Sequence, residues 1–238
     1  HDYLDYHKNM NAYLKAKLYL FEKLIKKNGN IITDANIPQI NKIKNIATKK
    51  KIKLDLILDK KKGIDLILHK FLGEKQILEI EFNKKRYVIK LNLIGKIQIK
   101  NILMAALAAY KSGVKFEKLI NVIHKLKSVE GRLEKVGKIR NNSKVVLDYA
   151  HTPAELELAL LNLKEQFPSS KICLVFGCGG NRDFKKRSKM GSIADKYSDK
   201  IYLTDDNPRN ESPSKIRKEI KKGIKKIKTK ELPNRKKA

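Results

Sequence analysis

Apolar positions along the 238-residue chain switch between helical and strand spacing several times, and the switches outline its elements. Met10, Tyr13, Leu14, Leu20, Phe21, Leu24 and Ile25 share one face at about 100° per residue. That spacing predicts a helix that starts at the caps offered by Asn9-Met10-Asn11 and runs to about Lys27, before Asn28-Gly29-Asn30. Lys17 falls in the middle of this face, while Lys15, Lys23 and Lys26 lie on the other side. Residues 30–33 read as a strand leading to Asp34, and Pro38 stands near the start of a second helix that ends in the lysine run at 49–53. Residues 76–82 and 87–93 alternate around Asn83-Lys84-Lys85, which predicts a hairpin. The segment from Gly95 to Asn101 leads into the apolar helix NILMAALAAY, ended by Gly113, and a further helix spans 117–126. His124 reads there as a partly exposed helix residue rather than a ligand.

The second half has a different rhythm. Residues 145–148 look like a short buried strand, followed by a helix that Thr152 caps and Pro153 opens, continuing to about Gln166. With strands at 171–176 and 200–203 and helices between them, the pattern predicts a parallel βαβαβ unit, and 214–225 reads as one more amphipathic helix.

The net charge of +30 points first to nucleic acid. Lysine supplies nearly all of it, with only eight arginines, and the lysines are scattered among Ile and Asn rather than gathered on one element. A solvated lysine surface is therefore the expectation, with no specific nucleic-acid partner. Cys173 and Cys178 lack the CxxC spacing and suit a reduced, cytosolic protein. No apolar run has the length to span a bilayer, so no membrane insertion is expected.

Candidate chemistry concentrates between Val175 and Arg209. Gly177, Gly179 and Gly180 allow a sharp exit from a strand, with backbone N–H groups free to face a ligand. Arg182, Lys185, Lys186 and Arg187 crowd cations beside that turn, and Asp205, Asp206, Asn207 and Arg209 gather both signs of charge after the next strand. Loops leaving the carboxyl ends of strands form the ligand crevice of open α/β sheets, and one cationic and one mixed loop suit a small zwitterion. Asp148 and His151 similarly sit at a strand end beside a helix N-terminus. Lys17, central to an apolar face, would be depressed in pKa by burial and so expose a nucleophilic neutral amine.

GCGGNRD followed by TDDNPR resembles the C-terminal domain of the Mur ligases, and LDYHKNMNAYLKAKLYLF, the Gly95…Asn101 segment, GRLE and LDYAHTP agree in the same order. The resemblance implies an α/β fold: the later part of a central ATPase domain at 1–131, then a Rossmann-like C-terminal domain at 132–238. It implies ATP-dependent amide formation with Mg²⁺, in which meso-diaminopimelate is added to UDP-MurNAc-L-Ala-D-Glu through an acyl phosphate. Lys17 would be the family's carbamylated lysine, its two oxygens serving Mg²⁺. Asn101 would lie near the adenine of ATP, although the residue pattern alone equally allows an N-cap there. Arg132 would reach the phosphates, and Asp148 and His151 would contact ATP, His151 alternatively as a supporting hydrogen-bonder. Arg182, Asp206, Asn207, Pro208 and Arg209 would bind diaminopimelate, since the lysine-adding members lack this arginine. The relatives that add lysine or polyglutamate are the alternatives within the superfamily, and a basic nucleic-acid binder is the alternative outside it.

The sequence departs from the family in places. Tyr3 stands where the family's string has a metal-binding His, so either His1 or His7 substitutes or that metal site is altered. Ile97 and Gln98 replace the aromatic and first Asn of GxFNxxN. No G-x-x-x-x-G-K-[ST] or GTNGKT string occurs in the chain, nor the GKGHE segment, so part of a longer, monomeric ligase is expected.

Overall fold

The computed structural model describes residues 7–59 and 63–238. Tyr3 and His1, the positions that bear on the altered metal string, lie outside the described residues. The chain forms two compact units, dividing between Val129 and Glu130.

In the first unit, α1 (Met10–Tyr19) is capped by Asn9, whose side chain accepts from Ala12 N–H, and continues as one π-helical turn, Leu20–Leu24. Next come β1 (Asn30–Asp34), α2 (Ile40–Lys50), β2 (Lys53–Ile57), β3 (Ile64–Leu72), β4 (Lys75–Phe82), β5 (Lys85–Leu91), α3 (Ile97–Lys111) and α4 (Phe116–Ile123). The five strands make one sheet in chain order. β1, β2 and β3 are parallel, whereas β3–β4 and β4–β5 are antiparallel. Asn83 and Lys84 close the β4–β5 hairpin with positive φ at both central positions, a conformation that matches the twist of the flanking strands.

Alternation along β4 turns Gln76, Leu78, Ile80 and Phe82 inward, and α3 packs Ile99, Leu103 and Leu107 into the same core. Gln76 is fully buried and fully used. Its Nε2 donates to the carbonyls of Leu93 (2.8 Å) and Gly95 (3.1 Å), and its Oε1 lies 2.9 Å from His69 Nε2. A buried amide with its bonds made fixes the chain where it enters α3. At the other edge Asp34, 4% exposed, accepts from Asn36 N–H and pairs with Lys100 Nζ at 2.5 Å, tying the end of β1 to α3.

Two expectations for this unit need correction. α3 begins at Ile97, so Asn101 lies inside the helix rather than at its cap; its side chain is exposed, 3.4 Å from Gln98 Oε1. Lys17 is exposed, not buried. The residues of α1 and its extension that pack against Ile31, Ile43, Ala47 and Ile52 are Leu14, Leu18, Phe21 and Ile25, while Met10, Leu20 and Leu24 remain outside. The buried stripe is centred on Leu18, at spacings of three and four, and that rotation carries Lys17 to its flank.

In the second unit, β6 (Glu134–Lys138) and β7 (Lys144–Leu147) form an antiparallel pair, followed by α5 (Pro153–Gln166), β8 (Cys173–Phe176), α6 (Lys185–Tyr197), β9 (Lys200–Leu203), α7 (Pro213–Lys221) and β10 (Thr229–Glu231). The parallel sheet runs β10-β9-β8. The strand at 145–148 is therefore not the first member of a parallel trio. It pairs with the strand just before it through a short turn in which Asn141 and Asn142 adopt positive φ, a local closure that costs less entropy than a crossover. Val145 and Leu147 are accordingly exposed, and β10 takes the other edge of the sheet. α5 starts as expected, with a capping box in which Thr152 and Glu155 exchange bonds. The core gathers Leu156, Leu160, Phe176, Met190, Ala194, Ile201, Leu203 and Ile220. Neither Cys173 nor Cys178 is in a disulfide. No helix among the described residues is long and apolar enough to cross a membrane.

Candidate functional site

The glycine turn after β8 and the acidic turn after β9 interlock. Gly180 N–H donates to the Asn207 carbonyl at 2.8 Å, and Arg209 NH1 returns a bond to the Gly180 carbonyl at 2.5 Å. This approach leaves no room for a side chain, since a Cβ on Gly180 would sit 1.8 Å from the Pro208 carbonyl oxygen and one on Gly177 2.3 Å from that of Thr204. Gly180→Ala must push the loops apart. Overpacking of this kind costs about 2–3 kcal/mol, which for a unit of roughly a hundred residues lowers Tm by roughly 10–20 °C. Calorimetry on the chain checks this, and a Tm within about 2 °C of wild type would mean the loops are not locked together.

Arg209 itself adopts a left-handed backbone (φ 48°), with its N–H bonded to Asn207 Oδ1. Its side chain makes no ion pair among the described residues. Asp205 pairs with Arg217 and Glu211 with Arg187, while the exposed Asp206 accepts from Asn207 N–H. Arg182 is exposed on the same glycine loop, and Asp206 and Asn207 are exposed on the second. Alongside lies a shallow, open crevice lined by Cys178, Thr204, Asp205, Asp206, Pro208 and Arg217.

Sequence reasoning placed Arg187 with the cations of the turn, yet it is 1% exposed. Its NH1 and NH2 grip both oxygens of Glu211 at 2.8 Å, NH1 also reaches Glu219 at 2.7 Å, and NH2 lies 3.3 Å from the Gly179 carbonyl. The missed signal is the stripe Arg187, Met190, Gly191, Ala194, the buried face of α6. Hydrogen bonds from Arg187, then from Asn181 N–H, hold the Glu211 carboxyl down at about 2. A depressed carboxyl contributes stability above its unfolded value of about 4.3, and that stability is lost as pH falls toward 2. Acid unfolding followed by circular dichroism should therefore steepen across this window in the wild type. Glu211→Gln should be less stable at pH 7 and flatter below pH 4; an unchanged profile would contradict the assignment.

At the start of α5, Asp148 is committed to the backbone, accepting from Leu133 N–H (2.9 Å) and Ala150 N–H (2.8 Å). It binds the GRLE turn to the DYAHTP turn, and Arg132 and His151 both come up to the ring of exposed Tyr149. The Arg132 guanidinium lies 5.5 Å from the Tyr149 ring centre and the His151 ring 5.7 Å from it. Tyr149 was not singled out from the sequence as a site residue. His151 Nδ1 is 3.1 Å from the Tyr149 carbonyl and 3.2 Å from Glu155. Burial opposes ionisation of Glu155, but the N–H and ring of His151 and the Thr152 cap outweigh it and hold the carboxyl below its usual range.

In the first unit Lys17 and His7 meet at Tyr13, with Lys17 Nζ 4.9 Å and the His7 ring 5.2 Å from the ring centre. Among the described residues no three His, Cys, Asp or Glu side chains form a metal cage. Mg²⁺ does not require one, since it keeps several waters and takes one or two protein groups plus phosphates.

Two family models account for nearly the whole chain: the Mur ligase middle domain matches residues 1–109, and the Mur ligase, glutamate ligase domain matches residues 131–238. The chain belongs to the Mur ligase family. It is 40% identical over 238 residues to the UDP-N-acetylmuramoyl-L-alanyl-D-glutamate--2,6-diaminopimelate ligase of Rickettsia montanensis, covering 100% of this chain and 49% of that protein. The protein of the same name from Rickettsia conorii is 41% identical over 240 residues, with the same coverage. A solved structure of a UDP-N-acetylmuramoyl-L-alanyl-D-glutamate--2,6-diaminopimelate ligase superposes with a TM-score of 0.64 at 25% identity, over 98% of this chain and 48% of that one. The MurF ligase of Thermotoga maritima in complex with ADP shares the fold, with a TM-score of 0.70 at 19% identity over 95% and 49% of the two chains. This Mur ligase chain thus spans about half the length of the curated relatives it matches.

Proposed function

We propose that the complete protein is an ADP-forming ligase that adds meso-diaminopimelate to the γ-carboxylate of UDP-MurNAc-L-Ala-D-Glu. The observation that carries this reading is Arg209, held over the glycine loop by Gly180 while Asp205 and Glu211 are engaged by other arginines. Diaminopimelate differs from lysine by a carboxylate on its far carbon, and a guanidinium can hold that group through two parallel hydrogen bonds. Asp206 and Asn207 offer an acceptor and an amide for its ammonium and remaining carboxylate, and Arg182 supplies a second cation from the facing loop.

The γ-phosphoryl group of ATP passes to the substrate carboxylate, giving an acyl phosphate and ADP. The free amine of diaminopimelate attacks that carbonyl carbon through a tetrahedral intermediate, and phosphate leaves. No protein nucleophile enters this sequence, so the side chains act by orientation and charge. Arg132 would meet the phosphates and His151 would face the nucleotide beside Tyr149, while Asp148 holds their two turns together. Asn101 would stand toward adenine. Lys17, as a carbamate, and His7 would hold Mg²⁺, which neutralises phosphate charge when bound.

Amide formation by the complete protein tests the reading, with ATP, UDP-MurNAc-L-Ala-D-Glu and either meso-diaminopimelate or L-lysine. The expected result is an ADP-coupled tripeptide product with diaminopimelate and at most a trace with lysine. Preference for lysine, or chain extension with glutamate, would overturn it.

A further inference from the structure

We infer that Arg187 and Glu211 form a positioning clamp for the amino-acid site, acting through the turn that carries Arg209; this rests on the reading of that turn as the amino-acid site. Arg187 touches neither Arg209 nor the crevice wall in any bond it makes. It touches what holds them. One NH group reaches the Gly179 carbonyl in the glycine loop, and both grip Glu211, two residues beyond Arg209. Glu211 Oε1 also accepts from Asn181 N–H, beside Arg182, and Glu211 N–H closes the turn onto the Pro208 carbonyl at 3.0 Å. A single bidentate pair thus spans both loops, with every group except the Glu211 carboxylate buried or in backbone.

Arg209 sits in the left-handed region (φ 48°), where a residue with a Cβ stays only if its surroundings fix it. The clamp immediately after it supplies that fixing. Released, the turn can relax to an ordinary backbone, and the guanidinium no longer projects over Gly180. Arg187 cannot serve as the substrate's cation, because Glu211 and Glu219 place two carboxylates against its one charge. The Glu219 arm differs in kind: it joins α6 to α7 and touches neither loop.

That difference separates positioning from mere stability. The test is steady-state kinetics of the complete ligase as wild type, Glu211→Gln, Arg187→Lys and Glu219→Gln, with ADP release as readout, each substrate varied and Tm measured in parallel. In Glu211→Gln and Arg187→Lys, the KM for the amino acid should rise about tenfold while that for ATP stays within about twofold. Glu219→Gln should lower Tm and leave the amino-acid KM within about twofold of wild type. The inference is overturned if both loop-clamp variants keep the wild-type amino-acid KM, or if the three variants raise it equally, in step with lost stability. Should Arg187→Lys fail to fold, Glu211→Gln against Glu219→Gln decides. A wild-type enzyme that uses another amino acid overturns the proposed substrate instead, and the same KM comparison on that amino acid still decides the clamp.

Discussion

Lys17→Ala in the complete ligase is expected to abolish turnover, and short-chain carboxylic acids are expected to restore part of it. Burial does not supply the argument, because Lys17 is exposed at the end of α1. Placement supplies it: Nζ lies over Tyr13, whose ring also meets His7, so an amine and an imidazole converge on one aromatic ring. An accessible amine can take up carbon dioxide, and the resulting carbamate presents two oxygens beside the imidazole, a hard donor set suited to Mg²⁺. If the missing group is a carboxylate-like pair of oxygens, a small free acid can occupy the gap left by alanine. The carbamate should also appear directly as a ¹³C resonance after labelling with bicarbonate, and it should be missing from Lys17→Ala. Near-wild-type activity of the alanine variant would make Lys17 an ordinary helix lysine.

Arg209→Ala is expected to lower kcat/KM for diaminopimelate by about 10²–10³-fold, the loss of one bidentate charge-assisted pair to the substrate's distal carboxylate. If Arg209 were only a surface residue, its removal would cost under about 1 kcal/mol. Its geometry argues against that role. The residue is held in an uncommon backbone conformation, its guanidinium returns to a loop carbonyl, and neither Asp205 nor Glu211 is available to neutralise it. Arg209→Lys keeps the charge but loses the planar fork, so it should recover only a minor part of the activity.

Local chemistry made much of this legible. Thr152-Pro153 fixes the start of α5, alternation fixes β4, and the spacing of apolar runs places β1, β8 and β9. The three glycines and DDNPR marked two loops that the structure interlocks. What escaped depends on partners far along the chain. β2 and β3 carry lysine and aspartate among their apolar residues, which hid them, and β10 is three residues of Thr-Lys-Glu that only its parallel neighbour makes a strand. β7 has the composition of a buried strand but closes locally on β6. The face of α1 was misplaced because Leu18, chosen by α2 and β1, outranked residues of equal hydrophobicity. Arg187 escaped as a charge among charges, since burial of a guanidinium becomes visible only when Glu211 and Glu219 are seen around it.

The central claim is that the DDNPR turn selects diaminopimelate by its distal carboxylate, and kinetics of the complete ligase with two amino acids test it most directly. Wild type, Arg209→Ala and Arg209→Lys are compared with meso-diaminopimelate and with L-lysine at saturating ATP and UDP-MurNAc-L-Ala-D-Glu. The account predicts that diaminopimelate use collapses in Arg209→Ala while the small rate with lysine changes little. An equal loss with both amino acids would make Arg209 structural, and unaltered diaminopimelate kinetics would contradict the claim outright.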